Sequence, residues 1–173
     1  MMKTSLWKTI LWCSFALWVS EAYSQTEAPL WKEQKGVFVT FLSPISLLKK
    51  NLKTPPPVDI LQEEYDSTDL ALTFEREFTT VPDNFQKQFD SIVESWVQSR
   101  TGSWKKFIFL NNGKITGSMK GFEKSEPNAL FPFQLYLELG ENDKNKFGML
   151  IRFNNLDTLP IIERILKSLK FKV

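Results

Sequence analysis

The sequence predicts an α+β fold, an antiparallel β-sheet of about five to seven strands covered by two main helices. Three observations predict it. Leu70–Phe78, Leu130–Leu139 and Lys146–Phe153 alternate apolar and polar residues with period two. Phe85, Phe89, Ile92, Val93, Trp96 and Val97 form one stripe at helical spacing, and Ile162, Ile165, Leu166 and Leu169 form another. Asn111-Asn112-Gly113 sits between two strand-like runs, where Asn-Gly signals a type I′ hairpin.

The first 24 residues read as a secretory signal peptide. Lys3 and Lys8 precede an uncharged, mostly apolar run from Thr9 to Ser20, and Ala22-Tyr23-Ser24 supplies a small-x-small cleavage site. The run is shorter than the roughly 20 apolar residues of a membrane span, although an uncleaved anchor is the next reading. Cys13 is the only cysteine, and the bulky Trp12 before it argues against lipid attachment. The expected organisation is a signal peptide over 1–24, a polar lead-in over 25–35, and one domain over 36–173. The expected location is therefore the periplasm or the cell exterior, with no integral membrane span after cleavage.

Gly36–Leu42 (GVFVTFL) is rich in β-branched and aromatic residues, so a strand buried on both sides is expected there. Ile45–Leu52 reads as one or two helical turns, stopped by Pro55-Pro56-Pro57, whose composition favours a stiff polyproline II connector. Val58–Tyr65 and Leu70–Phe78 read as strands around an Asp66–Asp69 turn. The first helix begins with Asp83 as N-cap and Gln86 completing a capping box, and Gly102 suits its end. Trp104–Leu110, Lys114–Gly121, Leu130–Leu139 and Lys146–Phe153 form an antiparallel meander. A closing helix spans Thr158–Lys170, with Pro160 in its first turn.

This order resembles the PsbP/Mog1-type fold, an antiparallel sheet covered by helices. Gly36–Pro44 (GVFVTFLSP) is similar to that fold's first strand running into a proline. Gly117–Phe122 leads into a meander as in those domains, and Leu159–Phe171 (LPIIERILKSLKF) resembles their closing helix and Ser-x-x-Phe-like tail. The resemblance implies a PsbP/Mog1-like sandwich that acts as a binding or assembly factor without catalysis. It transfers no site residue.

Composition narrows the chemistry. The chain has no histidine, and no cysteine follows Cys13. Ser-His-Asp and Cys-His nucleophiles, thiolate clusters and His-based zinc sites are excluded. No glycine-rich phosphate loop is present. No catalytic, cofactor-binding or metal-binding residue is assigned, and no cofactor is expected. Glu75 and Glu77 would form a paired-carboxylate hydrolase site, against the commoner reading of a solvated strand face. Glu63, Glu64, Asp66 and Asp69 supply oxygens of the kind calcium needs, at a spacing unlike the EF-hand loop. Trp31, Trp104, Phe107, Phe131 and Tyr136 would line a pocket for a small apolar ligand, core packing being the competing role.

Trp31, Trp104 and Tyr136 are the candidate contacts to a protein partner or such a ligand. Charge is uneven: residues 25–100 carry 8 Lys and Arg against 12 Asp and Glu, net −4, and residues 101–173 carry 12 against 7, net +5. The split reads as acidic and basic surfaces of one fold, with a basic face for an anionic partner as the sharper alternative. The lack of a dense Lys/Arg run argues against nucleic acid. The expected function is a non-enzymatic binding or accessory protein, with an apolar-ligand carrier and a carboxylate-dependent hydrolase as rivals.

Overall fold

The computed structural model describes residues 29–52, 60–78, 80–100, 102–126, 129–142 and 144–172. The expected signal peptide with Cys13, and the triple proline Pro55–Pro57, lie outside the described residues. Among the described residues the fold is α+β with two antiparallel sheets and two α-helices. Strands β1 (Trp31–Lys35), β2 (Val39–Pro44) and β10 (Lys170–Phe171) form a small sheet in the order β1-β2-β10. The main sheet has seven strands: β3 (Leu48–Lys49), β4 (Leu61–Asp66), β5 (Leu70–Arg76), β6 (Ile108–Asn112), β7 (Ile115–Glu123), β8 (Phe133–Glu141) and β9 (Lys144–Phe153). Their spatial order is β3-β4-β5-β9-β8-β7-β6. The expected meander is present, with β6 to β9 pairing consecutively and β9 also pairing with β5.

Helix α1 (Phe85–Ser99) lies over β6 and β7, and α2 (Leu159–Ser168) lies along β2 after a 3-10 turn at Leu156–Thr158. Period-two alternation sends Leu135, Leu137 and Leu139 of β8, and Phe147, Met149, Ile151 and Phe153 of β9, to one buried face. The small sheet covers the β4–β5 side of that face, where Phe41 meets Tyr65 at 5.1 Å and Phe74 at 5.3 Å. Phe147 is the meeting point of the layers. Its ring lies 6.4 Å from Phe38 before β2, 6.4 Å from Phe74 of β5, 6.3 Å from Phe89 of α1 and 4.9 Å from Phe171 of β10. Edge-on and offset contacts of this kind add to the apolar burial each ring already contributes.

Several local expectations are corrected. Trp31–Lys35, assigned to the lead-in, is a strand paired with β2, because hydrogen bonding to a neighbour outweighs its polar composition. Gly36-Val37-Phe38 is the turn before β2, so Val37 is exposed and the strand is not buried on both sides. Ile45–Leu52 is not helical; a turn at Ile45–Ser46 leads into β3. The N-cap of α1 is Asn84, at φ 64° and without a side-chain cap bond. Gln86 makes no capping box: its amide nitrogen donates to Leu169 O (3.1 Å) and Asp90 Oδ1 (2.8 Å), and its oxygen accepts from Phe171 N (3.0 Å). It ties α1 to β10. The hairpin turn is centred on Gly113-Lys114 instead of Asn112-Gly113, since Asn112 pairs with Ile115. Gly113 has φ +67° and Lys114 does not share that sign, which is the pattern of a type II′ turn. The closing helix ends at Ser168, and the tail joins the small sheet.

Candidate recognition surface

The buried face of the main sheet accounts for α1 and the small sheet. Among the described residues no element packs on the opposite face. On β5 that face is made of short side chains, Ala71 and Thr73, which are buried between the longer Arg152, Leu150 and Glu64 set beside them by the register. Toward β6 it becomes aromatic and basic. Phe109 stands opposite Ser118, Lys120 opposite Tyr136, and Phe122 opposite Gln134, all on the open side. Phe109 is 57% exposed, Phe107 54%, Phe122 41% and Tyr136 38%. The Phe107 and Phe109 rings stack at 6.5 Å and 19°, and the Lys120 ammonium lies 5.1 Å from the Phe122 ring centroid. Tyr136 donates to Glu138 Oε2 at 2.9 Å; burial, then that bond, pushes its pKa up to about 12. The exposed ring therefore carries a neutral hydroxyl.

The three candidate contact residues do not meet. Trp31 on β1 packs beneath the Arg164 guanidinium of α2, 4.0 Å from the ring centroid. Trp104 turns inward against Phe133 (5.8 Å) and Phe153 (5.6 Å), and its carbonyl accepts from Trp96 Nε1 at 3.0 Å. Tyr136 alone lies on the open face. Phe107 is exposed and stacks on Phe109, and Phe131 is half-buried, so the five aromatics do not enclose one pocket. Phe109, Phe122 and Lys120 were not singled out from sequence. The signal was present: Phe109 falls out of phase with the inward Ile108 and Leu110, and Phe122 with Met119 and Gly121.

The acidic candidates also separate. Glu75 and Glu77 are exposed, and neither lines a cleft described below. Glu63 and Glu64 alternate to opposite faces of β4, Asp66 pairs with Lys50, and Asp69 accepts from Asn154 Nδ2 at 2.8 Å. Among the described residues no three acidic side chains converge as a metal site would require. Glu63 has another task. It is 3% exposed, and both carboxylate oxygens accept from Val37 N at 2.8 Å, with Lys49 and the Tyr65 hydroxyl beside them. It pins the β1–β2 turn onto the main sheet. Gly36 is required there, because a Cβ would collide with the Glu63 carboxylate and stand 2.9 Å from Tyr65 Oη. Burial, then the Glu63 charge, pushes the Tyr65 hydroxyl well above the ordinary phenol range.

A cleft of about 630 Å³ opens where Pro44 and Ser46 face Asp69, Asn154 and Asp157. Its polar groups mostly satisfy one another: Asn155 Oδ1 accepts from Asp157 N at 3.0 Å, and Thr68 Oγ1 donates to Asp69 Oδ2 at 3.2 Å. Asn154, whose backbone N donates to Asp69 O at 3.2 Å and whose Nδ2 donates to Asp69 Oδ1, fastens the β4–β5 turn to the end of β9. Two further clefts, of about 470 and 560 Å³, lie at the N-terminal end and along the outer side of α1, lined by Asp83, Asn84 and Lys87 among others. None is an enclosed apolar cavity.

Comparison with protein families finds no matching family, and no curated protein matches the sequence. Among the described residues, no helix is long and apolar enough to cross a membrane.

Proposed function

We propose that this chain is an exported, non-enzymatic binding or accessory protein of the bacterial periplasm or cell exterior, which recognises a partner with the open face of its main sheet. The observation that carries the reading is the group of exposed Phe107, Phe109, Phe122 and Tyr136 beside Lys120, on a face that no described element covers. Aromatic side chains are enriched where protein surfaces associate. The resemblance of the element order to the PsbP/Mog1-type fold supports this role, and the signal-like N-terminus supports an encounter outside the cytosol.

A photo-crosslinking residue placed at Phe122, and separately at Lys87 on the exposed side of α1, tests the reading in cells that produce the protein. The expected result is one discrete adduct from position 122 and none from position 87. Failure to crosslink at 122, or equal adducts from both positions, refutes it.

A further inference from the structure

The β6 edge of the main sheet differs from the other sheet edges. Strands β3 and β10 are two residues long, and β1 (WKEQK) carries three charges in five residues. Short or charged edges do not recruit another strand. Strand β6 (IFLNN) is five residues with neither charge nor proline, and it ends the seven-stranded order.

The register fixes which of its backbone groups are used. Asn112 and Ile115 close the two-residue turn, so they form a hydrogen-bonded pair, and bonding alternates from there. The Lys114 carbonyl agrees, accepting from Asn142 N at 2.9 Å on the far side of β7. Ile108, Leu110 and Asn112 therefore bond to β7. Phe109 and Asn111 direct their N–H and C=O groups outward, where no described element pairs with them. Directly over this edge stand the stacked, exposed Phe107 and Phe109. Around it, residues 103–124 hold five lysines against one glutamate, net +4, and that glutamate, Glu123, is already paired with Lys105.

We propose that the β6 edge docks an extended acidic peptide segment, which adds to the main sheet as its eighth strand. Its backbone completes the bonds of Phe109 and Asn111. Apolar side chains on one of its faces cover Phe107 and Phe109, and carboxylates at its ends meet Lys106 and Lys114. The proposal rests on the open-face reading and names the partner's chemistry. A second copy fits less well, because antiparallel pairing of two β6 strands brings Lys105 and Lys106 of each against Lys114 of the other. A membrane surface would suit the rings and lysines. It would leave the outward peptide groups of Phe109 and Asn111 facing hydrocarbon with no hydrogen-bond partner, which a bilayer does not tolerate.

Fluorescence anisotropy with a labelled, capped peptide, Glu-Glu-Val-Thr-Val-Thr-Val-Glu-Glu, tests this on the protein purified as cells produce it. Saturable, salt-sensitive binding is expected. Phe109→Pro should weaken it about tenfold or more, because this proline removes both an outward N–H and the ring the peptide covers while leaving the β7 ladder intact. Phe109→Lys serves as the second variant should the proline form not fold. Lys106→Glu with Lys114→Glu should reject this peptide and accept one with lysine ends. No saturable binding, or binding indifferent to both Phe109 variants and to the charge swap, overturns the proposal. Binding to phosphatidylserine vesicles or to a uridine oligonucleotide in place of the peptide also overturns it. A dimer in sedimentation that Phe109→Lys abolishes assigns the edge to a second copy and overturns it as well. Loss of peptide binding with the position-122 adduct retained removes the strand partner alone; loss of the adduct removes the open-face reading beneath it.

Discussion

Replacing Glu63 by glutamine keeps its volume and removes its charge at the point where the two sheets are joined. The carboxylate is 3% exposed and accepts from Val37 N at 2.8 Å through both oxygens, with Phe38 N at 3.5 Å. A hydrogen bond to a charged group is worth about 1.5–3 kcal/mol net. In the variant, one oxygen becomes an NH₂ that faces donors already present. The Lys49 ion pair adds only about 0.5 kcal/mol, because the Lys49 side chain is 45% exposed and screened by solvent. Glu63→Gln should therefore cost about 3 kcal/mol, a large share of the roughly 5–15 kcal/mol that holds a domain folded. At a urea slope of about 2 kcal/mol per molar, the midpoint falls by about 1.5 M with the slope unchanged.

Lys49→Met separates the two contributions. The carboxylate keeps its amide donors and the nearby Arg76, whose guanidinium responds to the Glu63 charge. Lys49→Met should cost about 1 kcal/mol or less. A Glu63→Gln protein within about 0.5 kcal/mol of the parent, or a Lys49→Met protein destabilised as much as Glu63→Gln, refutes the view that the amide anchor joins the sheets.

Gln86→Ala should cost about 1–3 kcal/mol and speed amide exchange at Phe171, whose N–H bonds to the Gln86 oxygen at 3.0 Å; unchanged protection at Phe171 counts against the tie. Gly121→Ala forces a Cβ to within 2.6 Å of the Trp104 ring, so a loss of about 1–3 kcal/mol and an altered tryptophan near-UV signal are expected. Glu163 is held below the ordinary carboxylate range, first by its hydrogen bond from Lys167 and also by Arg100, against a smaller opposing effect of burial. Its stabilisation is present above about pH 4.5 and is lost as pH falls through the lower folded value, so the cost of Glu163→Gln at pH 7 should shrink progressively as denaturant titrations are taken below that pH. Tyr136 and Tyr65 are shifted the other way. Stability should decline above about pH 10, and a phenol ionisation near 12 in ultraviolet titration should disappear in Tyr136→Phe.

Legibility in the sequence followed the strength of the local signal. Strands β8 and β9 alternate over nine and ten residues and bury one face, so period two alone placed their inward leucines and phenylalanines. The stripe of α1 was equally plain. Strand β1 was not legible, because WKEQK becomes a strand only through β2, and the two-residue strands β3 and β10 carry too few residues to show a period. Glu63 reads as a surface residue by composition. Its burial depends on Val37 N, 26 positions away along the chain, and only the fold brings the two together. The recognition surface was half legible. Tyr136 and the basic excess of the second half were visible, whereas Trp31, in a polar lead-in, and Trp104, at the start of an expected strand, were claimed by Arg164 and by Phe133 with Phe153.

An open sheet face is stable here because the core draws on the other one. Phe147 touches rings from the β1–β2 turn, β5, α1 and β10, so every layer is secured from the inner side. The outer face near β4 and β5 closes over its own short residues, Ala71 and Thr73. Toward β6 that economy stops: an exposed phenylalanine contributes little to folding, since most of its apolar surface still meets water. Stability does not explain Phe109 and Phe122 on this face. Solubility disfavours them, and an uncharged edge strand beside them invites association. The same region concentrates five of the chain's lysines within 22 residues, which keeps like molecules apart while leaving opposite charge attracted. An acidic strand docked on this edge, as proposed, would account for the rings, the bare edge and the lysines together.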